Sequence, residues 1–350
     1  MSSVNLPNSP DAYIAQNLNN KTRLHSTSGG MFSVIAAYVL DKGGIVYGAA
    51  FDDGFVVRHI RIENKVDLVK LQESKYVQSY LGECFKEIKQ KLNNNELICF
   101  SGTPCQIEGL LNFLGKDYNN LITVGVVCYG VPSPKLFGKY ILFIQKKYDD
   151  KLINFHFRSK KYGYSSPTVV AEFAQKGSID SKSALKSFTK TYFNGISIRP
   201  SCYECKVKTE KKTFDFLLGD CWNVSDYKKS FDDNQGTTSV FVYTEKGKRI
   251  LGELSNDIRL FKTDEKKLLN NDCSMIIKCR PKNQKRDLLF SNIDNMPYEN
   301  LINMVAPDSL SNRLANIFKP LLYMLGIKNS ILLKAVKKYR VRKNSRKYEY

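Results

Sequence analysis

Long apolar runs are missing from this chain. The two longest, Met31–Leu40 and Leu121–Val131, fall well short of the roughly 18 residues that cross a bilayer. The start, Met1 to Asn20, is polar and has no apolar core of the kind a secretory leader needs, so a cytoplasmic protein is expected. Acidic residues are also scarce: 34 Asp and Glu face 54 Lys and Arg, a formal net charge of +20. Such an excess suits an anionic partner and sets no fold. There are three histidines and a single tryptophan, and no internal repeat. A second Cys-x-x-Cys pair is absent, and neither a helix-turn-helix nor a zinc-finger spacing is present, so a nucleic-acid role is not expected.

What is present is a globular composition, 42% apolar with 20 Phe and 20 Tyr. Residues 1–23 are rich in Asn and Ser and read as a flexible arm. Apolar spacing predicts helices over 31–40, 81–93, 105–114 and 135–148, with strands over 45–51, 97–100 and 122–128 between them. Strand, tight turn and helix recurring in that order give an α/β fold with a mixed, mainly parallel sheet flanked by helices. Further strands at 153–157, 168–173, 214–218 and 239–243 add a β-rich portion, so residues 24–300 are read as one domain. Residues 301–350 read as a helical, amphipathic and basic tail, the apolar positions of Leu321–Val336 running into Lys334, Lys337, Lys338, Arg340, Arg342 and Lys343. That pairing suits a solvated tail or a peripheral membrane contact.

Nine cysteines in a reducing compartment point to metal or redox chemistry more than to disulfides. The sharpest feature is Cys202-Tyr203-Glu204-Cys205, half of a four-ligand site, a redox dithiol or a structural pair. Cys105, Cys128 or Cys221 would have to complete a metal site, while Cys84, Cys99, Cys273 and Cys279 read as structural. Cys105 follows the rigid turn Gly102-Thr103-Pro104, with Gln106 in the same helical turn; Cys128 closes an apolar strand and on its own reads as core more readily than as a ligand. Ser28-Gly29-Gly30 before a helix lets a phosphate approach the backbone, or is an ordinary turn. Arg158 and Lys160 after a strand suit a nucleotide phosphate or a solvated end, and Trp222 suits a flat cofactor ring or a core wall.

In order, Ser28-Gly29-Gly30, Ser74-Lys75-Tyr76-Val77-Gln78-Ser79, Gly102-Thr103-Pro104-Cys105-Gln106, Cys128-Tyr129-Gly130-Val131-Pro132-Ser133-Pro134, Phe157-Arg158-Ser159-Lys160, Cys202-x-x-Cys205 and Gly219-Asp220-x-Trp222 resemble the coenzyme F-420 hydrogenase/dehydrogenase β-subunit family, in its C-terminal catalytic part. The resemblance implies a flavin-dependent iron–sulfur oxidoreductase that binds FAD and a 4Fe–4S cluster. Cys105, Cys128, Cys202 and Cys205 would hold the cluster, with Cys221 as a further ligand. FAD contacts would fall on Ser28, Gly29, Gly30, Lys75, Tyr76, Gln78, Gly102 and Thr103, and Gln106, Arg158 and Lys160 complete the expected cofactor-binding set. Three departures follow. The first cysteine is Cys84, so the N-terminal ferredoxin module of many relatives is missing and a separate ferredoxin-like protein would supply electrons for a small-molecule substrate. Tyr129 stands where the family usually has His, and Cys221 where it usually has an aromatic residue. Relatives of this truncated kind often sit in surface-polysaccharide gene sets. The alternative reading is a cofactor-free descendant acting as a polysaccharide-pathway enzyme or an accessory, membrane-surface binding protein.

Overall fold

A computed structural model describes residues 9–308, and its strands are β1 (Asp11–Asn17), β2 (Ile45–Phe51), β3 (Val57–Ile62), β4 (Ile98–Gly102), β5 (Leu121–Val126), β6 (Leu152–Ser159), β7 (Thr168–Phe173), β8 (Gly177–Asp180), β9 (Phe216–Asp220), β10 (Thr238–Val242) and β11 (Ile258–Thr263). Eight of them form one sheet in the order β11-β1-β10-β9-β5-β4-β2-β3. Its centre, β9-β5-β4-β2, is parallel, and antiparallel pairs close both flanks. The expected α/β class, with a mixed sheet between helices, is the observed one.

The centre is parallel because its strands are apolar on both faces. In β4, Ile98, Cys99 and Phe100 are all fully buried. Ile98 and Phe100, with Tyr47, join helices Cys84–Asn93 and Pro104–Leu114 in one core. Cys99 and Val46 join helices Met31–Asp41 and Glu245–Glu253 in the core on the opposite face. A second sheet, β6-β7-β8, carries a third core with helices Pro134–Tyr148, Ser183–Phe193 and Tyr298–Val305. Phe137, Tyr140, Phe155, Phe157 and Phe188 fill it with tilted and edge-on ring contacts at 4.8–6.0 Å.

The sequence signals hold where punctuation is strong. Pro104 and Pro134 each open a helix, where a missing N–H costs nothing. They fail in the presumed arm. Asp11–Asn17 is an interior strand paired on both sides, and Asn20–Leu24 is a helix capped by Asn19. The strand was hidden by its polar residues. Gln16 is buried, but its amide donates to the Phe231 carbonyl at 2.6 Å and to Thr237 Oγ1 at 2.8 Å, so polarity did not mean solvent. At the other end, Leu301, Ile302 and Val305 pack into the third core and are not part of a free tail. The basic stretch and the amphipathic segment beyond residue 308 lie outside the described residues. Among the described residues no helix is long and apolar enough to cross a membrane.

Candidate functional site

β1, β2, β4, β5 and β9 all run in one direction, and the loops leaving β1, β4, β5 and β9, with Gly48 and Ala49 of β2, line a cleft of about 300 Å³. Open α/β sheets place ligands at this edge. The loop after β1 is pressed against the sheet: Gly29 N–H donates to Thr238 Oγ1 at 2.9 Å, and Ser28 Oγ donates to the Thr237 carbonyl at 2.7 Å. A Cβ on Gly29 would lie 2.4 Å from the Ala15 carbonyl, and Gly30 at φ +84° caps helix Met31–Asp41. No other residue type fits both positions. Of the residues read from the sequence as cofactor contacts, Ser28, Gly30, Lys75, Tyr76, Gly102, Thr103, Gln106 and Arg158 line the cleft.

Three expected contacts are corrected. Lys160 Nζ donates to the carbonyls of Arg23 at 2.7 Å, Ser28 at 2.5 Å and Gln235 at 2.6 Å; all three N–H groups are engaged, and it braces the glycine loop from behind. Gln78 does not line the cleft, and its backbone N–H is held by the Pro132 carbonyl. Gln106 lines the cleft, but its amide oxygen accepts the Thr103 N–H at 3.0 Å and its amide nitrogen donates to Ser79 Oγ at 2.8 Å. It ties the start of helix Pro104–Leu114 to the loop holding Lys75 and Tyr76. Lys75 likewise donates to the carbonyls of Lys70 and Gln72, and burial lowers its pKa to about 8.

The cleft's electrostatics centre on Arg158. Its Nη1 donates to Asp220 Oδ2 at 2.6 Å and to Tyr76 Oη at 3.3 Å, its guanidinium lies 4.8 Å over the Trp222 ring, and its Nη2 is buried without a partner. Trp222 stacks on Tyr164 at 4.8 Å, so a protein ring takes part of the role read for a cofactor. His59 was missed by sequence reasoning, since one histidine on an edge strand gives no signal. Burial pushes its pKa down to about 4 despite the bond of Nε2 to the Ser101 carbonyl at 3.0 Å. That bond assigns the proton to Nε2 and leaves the buried, unpartnered Nδ1 as an acceptor at the cleft.

Beside the cleft lies a pocket of about 40 Å³ lined by Cys105, Cys128, Cys202 and Cys205 together. The two spaces share Val127, Cys128, Gly130, Val131 and Met275 as a common wall. The turn after β5 makes the convergence. Gly130 at φ +109° passes so close to the Cys-x-x-Cys segment that a Cβ there would sit 3.3 Å from Cys202 Cβ. Burial pushes the Cys128 thiol up to about 12, with Cys105 and Cys202 adding to it, and burial raises Cys202 in the same way with Cys205 and Cys105. Among the described residues no three such side chains are arranged around one point as metal ligands. Cys221 belongs elsewhere: it is fully buried in the core beside Cys273 and lines neither space, which removes it as a further ligand. Cys279, read as structural, is exposed, and its Sγ accepts the Cys205 N–H at 3.2 Å. Their separation of 74 residues hid the pairing from the sequence.

Residues 95–267, which include all four pocket cysteines, match the family described as the C terminus of the coenzyme F420 hydrogenase/dehydrogenase beta subunit. Residues 95–267 belong to this family. F-420 hydrogenase/dehydrogenase β-subunits are oxidoreductase subunits, and the match spans β4 to β11, whereas the Ser28–Gly30 and Lys75 loops precede it. A chain of the xenon-derivatised F420-reducing hydrogenase complex from Methanosarcina barkeri is similar to this one with a TM-score of 0.51 at 14% identity, covering 87% of this chain and 94% of that one. At that identity the likeness establishes the fold alone. No curated protein matches the chain.

Proposed function

We propose that the protein is a flavin-dependent iron–sulfur oxidoreductase, with a 4Fe–4S cluster at Cys105, Cys128, Cys202 and Cys205 and FAD in the adjoining cleft. The observation that carries this reading is the meeting of four cysteines, up to 100 positions apart in sequence, in one pocket that shares a wall with the cleft. When bound, a cluster supplies single-electron relay and a flavin supplies two-electron hydride exchange. The chain's own residues position and charge the site. Thr103 and Gln106 fix the helix that presents Cys105, the Gly29–Gly30 turn seats the loop against the sheet so that Ser28 and Gly30 line the cleft, and Arg158 Nη2 would be a donor for an anionic group. Neutral His59 offers an acceptor and holds no mobile proton at neutral pH. Electrons would come from a ferredoxin-like protein and pass to an organic substrate, and a place in surface-polysaccharide synthesis is part of this proposal.

Anaerobically purified protein should be coloured and contain iron, sulfide and FAD. A colourless sample without any of them would sink the reading. A second reading rests on the departures at Tyr129 and Cys221: a cofactor-free descendant acting as a pathway enzyme or accessory protein. That reading requires Cys202→Ser and Cys205→Ser proteins to remain functional.

A further inference from the structure

Two lysines share the pocket wall with the four cysteines. Lys212 is 3% exposed, and its ammonium donates to the Val207 carbonyl. The Lys208 ammonium donates to the Cys128 carbonyl at 2.9 Å and to the Met275 carbonyl. Carbonyl oxygens satisfy N–H groups but bring no formal charge. Among the described residues, Glu108 is the carboxylate that acts on Lys212, by charge and without a hydrogen bond. A buried ammonium needs a counter-charge, because desolvation without one costs several kcal/mol by order of magnitude. Beside four neutral thiols the two lysines would be a liability.

Four thiolates reverse this. Around a dicationic core they leave a double negative charge, and the wall holds two ammonium groups. The Lys208 ammonium is held on the Cys128 carbonyl at 2.9 Å, and Lys212 lines the same small pocket as Cys205. We infer that Lys208 and Lys212 are the counter-charges of an anionic four-thiolate centre, setting its affinity and its reduction potential; this rests on the site proposed above. They are positioning residues that touch the ligands' surroundings and take no part in substrate chemistry. The inference also separates a retained centre from a lost one, since no structural pair of cysteines needs a buried and a half-buried cation on its wall.

The test uses the full chain, reduced and metal-free, titrated with Co²⁺ and followed by thiolate-to-cobalt charge-transfer absorption. Lys212→Met and Lys208→Met should each weaken binding about 10- to 100-fold, as loss of an outer partner does, while Lys212→Arg and Lys208→Arg stay near the parent protein. In iron-loaded protein the Met variants should also move the centre's midpoint potential to more negative values, because a lost cation disfavours the reduced state. Folded Met variants that bind Co²⁺ as tightly as the parent would overturn the inference and leave the thiolate site standing. A parent protein with no charge-transfer band would overturn the site itself. If Lys212→Met does not fold, the half-buried Lys208→Met decides.

Discussion

Arg158 lines the cleft with Nη1 on Asp220, and among the described residues its buried Nη2 has no partner. A buried guanidinium nitrogen is seldom left so, and an anionic ligand is the simplest partner for it. Arg158→Met is expected to weaken FAD retention about 10- to 100-fold, the worth of a charge-assisted hydrogen bond of roughly 1.5–3 kcal/mol. Equilibrium dialysis of flavin against the folded variant measures it, and unchanged retention would separate Arg158 from the flavin. Lys160, its neighbour in the same motif, faces three carbonyls and acts on the glycine loop. Two cations in one tetrapeptide thus have different tasks, set by which backbone and side-chain groups each one meets.

At the scale of elements, the site depends on how helix Pro104–Leu114 begins. Pro104 opens it, Thr103 precedes it, and Gln106 returns to the Thr103 N–H while its other end holds Ser79. Removing this reciprocal cap with Gln106→Ala should lower stability by about 1 kcal/mol. It should also loosen the Lys75–Tyr76 loop, seen as faster hydrogen exchange there. Urea unfolding together with exchange measurements checks both, and a stable variant with an unchanged loop would reduce Gln106 to a cleft-lining side chain. The glycine turns work at the same scale. Gly29 and Gly130 let backbone segments approach closely where any side chain would hold them apart.

Across the whole molecule, His156 on β6 links the small sheet to the cleft loop. Its Nδ1 meets Glu73 Oε2 at 2.7 Å and its Nε2 meets Glu172 Oε1 at 3.2 Å. Burial alone would lower its pKa, but the hydrogen bond and charge of Glu73, followed by Glu172, raise it. A folded-state pKa above the unfolded value of about 6.5 means stability that is full below that pH and lost as pH rises through the raised value. His156→Gln should therefore flatten the fall in stability as pH rises above about 6.5, read by urea midpoints; an unaltered profile would show that the bridge adds nothing. The parallel centre of the sheet, the proline-opened helices and the Cys-x-x-Cys pair were all legible in the sequence alone, because periodicity, proline and short cysteine spacing are local signals. The strand at Asp11–Asn17, the exclusion of Cys221, the nearness of Cys279 and the burial of Lys212 were decided only by the tertiary structure. Each depends on which distant segment lies alongside, and a buried polar residue with its partner supplied from elsewhere looks, in one dimension, the same as an exposed one.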